Sequence, residues 1–124
     1  MPRQKISIEL MAHLCKLALE RSRERFYNRC FYAKVEANED PKESARVCRE
    51  LSRKARTFHK ADFEIAVRIH IAKTKQYYLR ISSLLRKLRE LANNPEHPWI
   101  EFYKGDYGRQ RGIYKLKNVE EVGG

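Results

Sequence analysis

Asn38-Glu39-Asp40-Pro41-Lys42-Glu43 is the sharpest local signal in the chain. Asp40 has the side chain of an N-cap, and Pro41 suits a first helical position, where its missing N–H has no intrahelical partner. Glu43 stands where a capping box needs a carboxylate. One helix must end near Asn38 and another begin at Pro41. So short a link makes them antiparallel, as an αα-hairpin.

Upstream, Ser7 is the expected N-cap of the first helix, with Glu9 placed favourably in its first turn. Met11, Cys15, Ala18, Leu19, Phe26, Cys30, Ala33 and Ala37 recur at helical intervals, and Leu10, Leu14 and Leu17 widen the face at its start. All five glycines lie at or beyond Gly105, and Pro41 is the single proline between Arg3 and Asn94. The stretch therefore reads as helix with few interruptions, Ser7–Asn38 and then Pro41–Asn93.

The second helix carries Lys42, Arg46, Arg49, Arg53, Arg56 and Lys60 at alternating steps of four and three. Such spacing lays cations along one helical face for roughly 27 Å. Glu43 and Glu50 sit beside the row, not in it. Ala45, Cys48, Leu51, Ala55 and Phe58 form the opposite, apolar face. The pattern shifts phase at Thr57–Asp62, which favours a break or kink, with Asp62 able to cap a third helix. Tyr77, Ile81, Leu84, Leu88 and Leu91 then form a heptad-like seam suited to core packing, and Asn93-Asn94-Pro95 stops the helix.

From Trp99 the composition turns to β-formers. Residues 99–104 and 112–117 bracket a turn-prone Gly105–Arg111 loop, which predicts a β-hairpin with Arg109 and Arg111 near its tip and a flexible tail at Val119–Gly124. An isolated hairpin is marginal in water, so it must pack on the helices or on another subunit. The expected fold class is all-α, a long antiparallel helical hairpin or bundle with a small C-terminal β-hairpin. Residues 1–94 would form the nucleic-acid-binding part and residues 95–124 the packing element.

A net charge of +11 and a pI near 9.8 point to an acidic partner, nucleic acid before anionic membrane. The excess lies entirely in residues 1–93, since the remainder balances five basic against five acidic groups. No run of about 18 apolar residues occurs and the first 25 residues lack a signal-peptide layout, which predicts a protein used inside a cell or leaving it by a route other than secretion. Cys15, Cys30 and Cys48 have no metal-ligand spacing and read first as small buried hydrophobes. A Cys30–Cys48 bridge stays open, because the two flank the turn near Asp40 almost symmetrically.

Catalytic chemistry is absent from the pattern. His13, His59, His70 and His97 share no metal or nucleophile motif, Asp62 and Glu64 point to different sides of a helix, and no Gly-rich phosphate loop can form before residue 105. The expectation is a non-enzyme with no cofactor, no metal and no small-molecule substrate. Arg21, Arg25 and Arg29 form a second basic row, and Arg68, Lys73 and Lys75 complete the candidate contact set. Arginines in a row, with few Asn or Gln among them, suit phosphates rather than base edges. Sequence-independent binding of double-stranded DNA is the reading that follows.

The basic pair Ser7–Asn38 and Pro41–Asn93, the Lys42–Lys60 stripe and the short chain together resemble the helical capsid proteins of filamentous archaeal viruses. The resemblance is one of layout, covers residues 7–93, and leaves the Trp99–Lys117 hairpin without a counterpart. It implies dimers of itself or of a sister subunit, wrapping A-form-like DNA into a helical filament, with the virion as location. Two alternatives stay open. One is a replication or chromatin accessory subunit of the cytoplasm or nucleoid, similar to the helical part of archaeal GINS proteins. The other is an RNA-binding module stacking bases on Tyr27, Tyr32, Tyr77 and Tyr78.

Overall fold

The computed structural model describes residues 6–105 and 108–117. Helices α1 (Ile8–Glu36), α2 (Pro41–Lys54), α3 (Lys60–Thr74) and α4 (Ile81–Asn93) accompany strands β1 (Thr57–His59), β2 (Ile100–Gly105) and β3 (Gly108–Leu116). The strands make one antiparallel sheet in the order β1-β3-β2. The chain is mostly helical but not all-α.

At residues 38–43 the N-cap and the first-turn Pro41 form as expected, but the Glu43 carboxylate, expected to close a capping box, turns to Arg46 instead. Asp40 Oδ2 accepts the Glu43 N–H at 3.0 Å, and Ser7 Oγ accepts the Leu10 N–H at 3.1 Å to start α1. Asn38, at φ 61°, turns the chain out of α1 in the left-handed conformation that Asn tolerates.

The break favoured at Thr57–Asp62 is present, so the Pro41–Asn93 arm is not one helix. α2 stops at Lys54, and Phe58 leaves it to become a strand residue paired with Tyr114, which pairs in turn with Phe102. Ring centroids lie 5.8 Å apart for Phe58–Tyr114 and 5.4 Å for Phe102–Tyr114, with Phe63 stacked 6.4 Å beyond Phe58. A cross-strand aromatic row of this kind stabilises a sheet well beyond intrinsic propensity. The three carbonyls that follow the helix each find a donor. Arg23 Nε donates to Ala55 O at 2.8 Å, Leu116 N to Arg56 O at 2.9 Å and Ser22 Oγ to Thr57 O at 2.9 Å.

α3 then begins in a capping box: Ala61 N–H donates to His59 Nδ1 at 3.1 Å, and His59 N–H donates to Asp62 Oδ2 at 3.0 Å. Asp62 takes part in the cap, as expected, but from inside the first turn. A second break separates α3 from α4. Lys75 adopts φ 58° and its N–H donates to Ile71 O at 2.8 Å. Tyr77, expected to open the seam, lies in this turn and is 73% exposed, whereas Leu84 and Leu88 are fully buried.

One core joins both sides of the expected 94/95 boundary. Met11, Leu14, Cys15 and Leu19 of α1 share it with Phe63 and Val67, Leu84 and Leu88, and with Ile100, Tyr114 and Leu116 of the sheet. The core ends at Leu19, so Phe26, Ala33 and Ala37, expected on the same face, are exposed. Beyond it the distal half of α1 is paired with α2. Cys30 and Cys48 are disulfide-bonded, with Cα atoms 5.7 Å apart. The register is consistent: seven residues before Cys30, Arg23 meets Ala55, which lies seven after Cys48. α2 buries Ser44, Cys48 and Ser52 rather than Leu51, because small side chains four apart allow the close approach that the bridge requires.

At the C-terminal hairpin the strands reach further than the composition suggested. Lys104 pairs with Arg109 and Gly105 with Gly108, so the turn is tighter than a Gly105–Arg111 loop and Arg109 belongs to the ladder. Between the Phe102 and Lys104 pairings β2 advances two residues and β3 five, and Gly112, at φ 76°, lies in the slack. The expected tail at Val119–Gly124 lies outside the described residues. No helix among those described is long and apolar enough to cross a membrane.

Candidate nucleic-acid interface

The six-cation row is distributed over three elements. Lys42, Arg46, Arg49 and Arg53 lie on α2, Arg56 in the link before β1, and Lys60 at the first position of α3. All six side chains are exposed. Arg46 is neutralised from within its own helix: its guanidinium bonds both Glu43 carboxylate oxygens and, at 3.0 Å, Glu50 Oε1. The acids beside the row reach into it at this one point. The Glu43 carboxyl is accordingly held below its usual range by the Arg46 hydrogen bond.

The other five have no ion pair among the described residues. Arg49 sits over the Tyr27 ring, its guanidinium carbon 4.2 Å from the centroid, and Tyr27 is itself stacked on Phe31 at 5.9 Å. This contact fixes the guanidinium plane without removing its charge. Beside it Arg53, Ser52, Arg23, Glu20 and Glu24 border an open groove of about 400 Å³ between α1 and α2. Arg23 is pinned to Ala55 O across that groove. Its guanidinium is pushed below the usual arginine value, first by burial and then by the charge of Arg56, with Glu20 opposing. Two cations close enough to disturb each other mark a local excess of positive potential.

The second basic row divides in the same way. Arg25 is committed to Asp62 through both oxygens, at 2.5 and 3.0 Å. Burial alone would raise the Asp62 carboxyl, but the Arg25 hydrogen bonds, the His59 N–H and the Arg25 charge outweigh it and hold the carboxyl below its ordinary value. Arg21 and Arg29 are exposed on α1, as are Arg68 and Lys73 on α3 and Lys75 just after it. Arg21 and Arg29 flank Arg25 on separate clefts, Arg21 beside Ile65 and Arg29 beside Ile113.

Arg23 was not among the expected contacts. Its place becomes legible only once the Cys30–Cys48 register is known, which puts residue 23 opposite the end of α2. Tyr32, Tyr77 and Tyr78 are exposed, whereas Tyr27 is covered by Arg49. His70 pairs with Gln76 at 2.8 Å and Cys48 is bridged, so the two do not form a nucleophile pair. Cys15 is free but fully buried, and burial pushes its thiol pKa up, away from the reactive thiolate. Among the described residues no three His, Cys, Asp or Glu side chains converge as metal ligands do.

Comparison with protein-family models, curated proteins and solved structures finds no match to this chain.

Proposed function

We propose that the protein binds double-stranded DNA without sequence preference, through the exposed cations of α2 and those that follow it, from Lys42 to Lys60. The observation that carries this reading is the set Arg49, Arg53 and Arg56, three exposed guanidinium groups with no carboxylate partner among the described residues, with Arg23 crowded beside them. Phosphates are the counter-charges such a surface lacks. Tyr27 holds Arg49 in place, and the disulfide keeps α2 fixed against α1, so the cations are presented by a preorganised hairpin.

The capsid likeness rested on the basic pair Ser7–Asn38 and Pro41–Asn93, the Lys42–Lys60 stripe and the short chain. The second arm is α2 alone, 14 residues against 29, so the cations and not that likeness support the proposal. Duplex DNA titrated at several salt concentrations tests it. With Lys42, Arg49, Arg53, Arg56 and Lys60 each meeting a phosphate, log Kobs against log salt should fall with a slope of about −4.5. Replacing Arg49, Arg53 and Arg56 by Gln should make the slope shallower by nearly 3 units. An unchanged slope in the triple variant removes these cations from the binding site, and a strong dependence on DNA sequence removes the mode.

A further inference from the structure

A pocket of about 680 Å³ lies far along α1 from the α2 cations, where the start of α1, the turn after α3 and the first turns of α4 converge. Its volume falls within the roughly 300–1,000 Å³ of small-molecule sites. Ile6, Leu10 and Leu79 give it half-buried apolar walls, and Tyr78 offers a ring that is 56% exposed. Arg80 and Arg86 supply two cations, and no carboxylate lines it among the described residues. In this it differs from the groove on α2, where Glu20 and Glu24 stand among the arginines.

The polar groups are fixed in place. His70 Nε2 and Gln76 Oε1 are 2.8 Å apart, while Thr74 Oγ1 donates to His70 O at 2.8 Å and lies 3.3 Å from the same Gln76 oxygen. With that oxygen taken, the Gln76 amide nitrogen is the group left to meet a ligand. Ser83, in the first turn of α4, adds a hydroxyl, and that turn receives no capping bond, since Arg80 at the N-cap has no acceptor. An aromatic face, apolar walls, an amide donor and two cations on the same lining together call for a planar heterocycle joined to a phosphate.

We infer that this pocket binds a nucleoside 5′-phosphate, with the base against Tyr78 and the phosphate between Arg80 and Arg86. Two sources share that chemistry, a free mononucleotide and the 5′-phosphorylated end of a single strand. The inference does not depend on duplex binding at α2, because it uses none of the same side chains.

Titration calorimetry on the full chain with its disulfide intact tests it, using adenosine 5′-monophosphate, adenosine, inorganic phosphate and a pentanucleotide with and without a 5′-phosphate. The monophosphate, or the phosphorylated pentanucleotide, should bind at least tenfold tighter than adenosine or phosphate alone. The Arg80→Gln/Arg86→Gln double variant should lose at least tenfold in that affinity. Tyr78→Ala should weaken binding several-fold while Tyr78→Phe, which keeps the ring, retains it. Tighter binding of the phosphorylated pentanucleotide assigns the site to strand ends, and tighter binding of the mononucleotide assigns it to free nucleotide. The inference is overturned if neither phosphorylated probe binds saturably, or if binding is unchanged in the double variant. The salt slope for duplex DNA should stay the same in that variant, so failure of one site is readable separately from failure of the other.

Discussion

Arg25 and Asp62 are bonded through both terminal guanidinium nitrogens and both carboxylate oxygens, yet the Arg25 side chain is 47% exposed and that of Asp62 only 2%. Loss of either partner therefore has unequal consequences. Asp62→Asn leaves an arginine that can return to water, at a cost of about 1–2 kcal/mol. Arg25→Leu leaves a buried carboxylate with only the His59 N–H, at a cost of about 3–5 kcal/mol. Urea unfolding at pH 7 measures both. In Arg25→Leu the stranded carboxyl is expected to bind a proton more readily folded than unfolded, so its deficit should narrow as pH falls toward 4. In the native protein the carboxyl is depressed instead, and its contribution, complete above the ordinary carboxylate value of 3.8, is lost as pH falls through and below it. Equal costs for the two substitutions would contradict this account.

Reduction of Cys30–Cys48 reopens a loop of 18 residues, worth about 3 kcal/mol in the chain-entropy description. The loss should be local. α2 rests on α1 through small side chains and contributes only Cys48 to the buried apolar residues, apart from the main cluster. Hydrogen exchange after phosphine reduction should therefore accelerate in α2 and residues 23–36, while α3 and α4 keep their protection. Uniform acceleration would mean that the hairpin and the core unfold as one unit.

His97 packs edge-on against Trp99 at 4.8 Å, and its Nδ1 is buried without a hydrogen-bond partner among the described residues. Burial first, then the charges of Lys117 and Lys87, push its pKa below the ordinary 6.5. The folded state thus prefers the neutral ring, so this contribution is complete above pH 6.5 and is lost as pH drops below it. Melting temperatures at pH 7.5 and 5.5 should differ less in His97→Gln than in the native protein. A larger difference in the variant would reverse the sign argued here.

Ser44 carries the other buried side-chain group without a partner among the described residues, its hydroxyl lying in the seam between α1 and α2. Removing an unsatisfied buried hydroxyl recovers its desolvation penalty, so Ser44→Ala should stabilise the protein by about 1 kcal/mol. The closer helix propensity of Ala works in the same direction. Chemical unfolding with the disulfide intact gives the sign directly, and a destabilised variant would place an acceptor or water at that hydroxyl.

Caps and stops were legible because they are local: Ser7, Asp40-Pro41 and the end of α4 near Asn93 need only neighbours a few residues away. β1 was not, since Thr57-Phe58-His59 is a strand only because Tyr114, 56 residues on from Phe58, pairs with its middle residue. The turn after α3 was hidden for a different reason: Lys75 takes a left-handed conformation without the Gly or Asn that would announce it. At the candidate interface, the spacing of cations was visible in the chain, but which of them were already neutralised was not. Glu43 and Glu50 were placed beside the row, and only side-chain reach brought them to Arg46.

That neutralisation gives the duplex-binding proposal its most discriminating test. Each phosphate contact made by an unpaired cation should contribute about 0.9 to the salt slope on duplex DNA. Arg53 has no described carboxylate partner, so Arg53→Gln should make the slope shallower by about that amount. Arg46 is held between Glu43 and Glu50, and a phosphate must displace carboxylates rather than mobile counter-ions to reach it. Arg46→Gln should therefore leave the slope nearly unchanged. Glu43→Gln/Glu50→Gln releases Arg46 and should steepen the slope by about 0.9, a gain that disappears when Arg46→Gln is added. If Arg46→Gln flattens the slope as much as Arg53→Gln does, the intrahelical pairing gives way to DNA and the α2 face binds with all its cations alike.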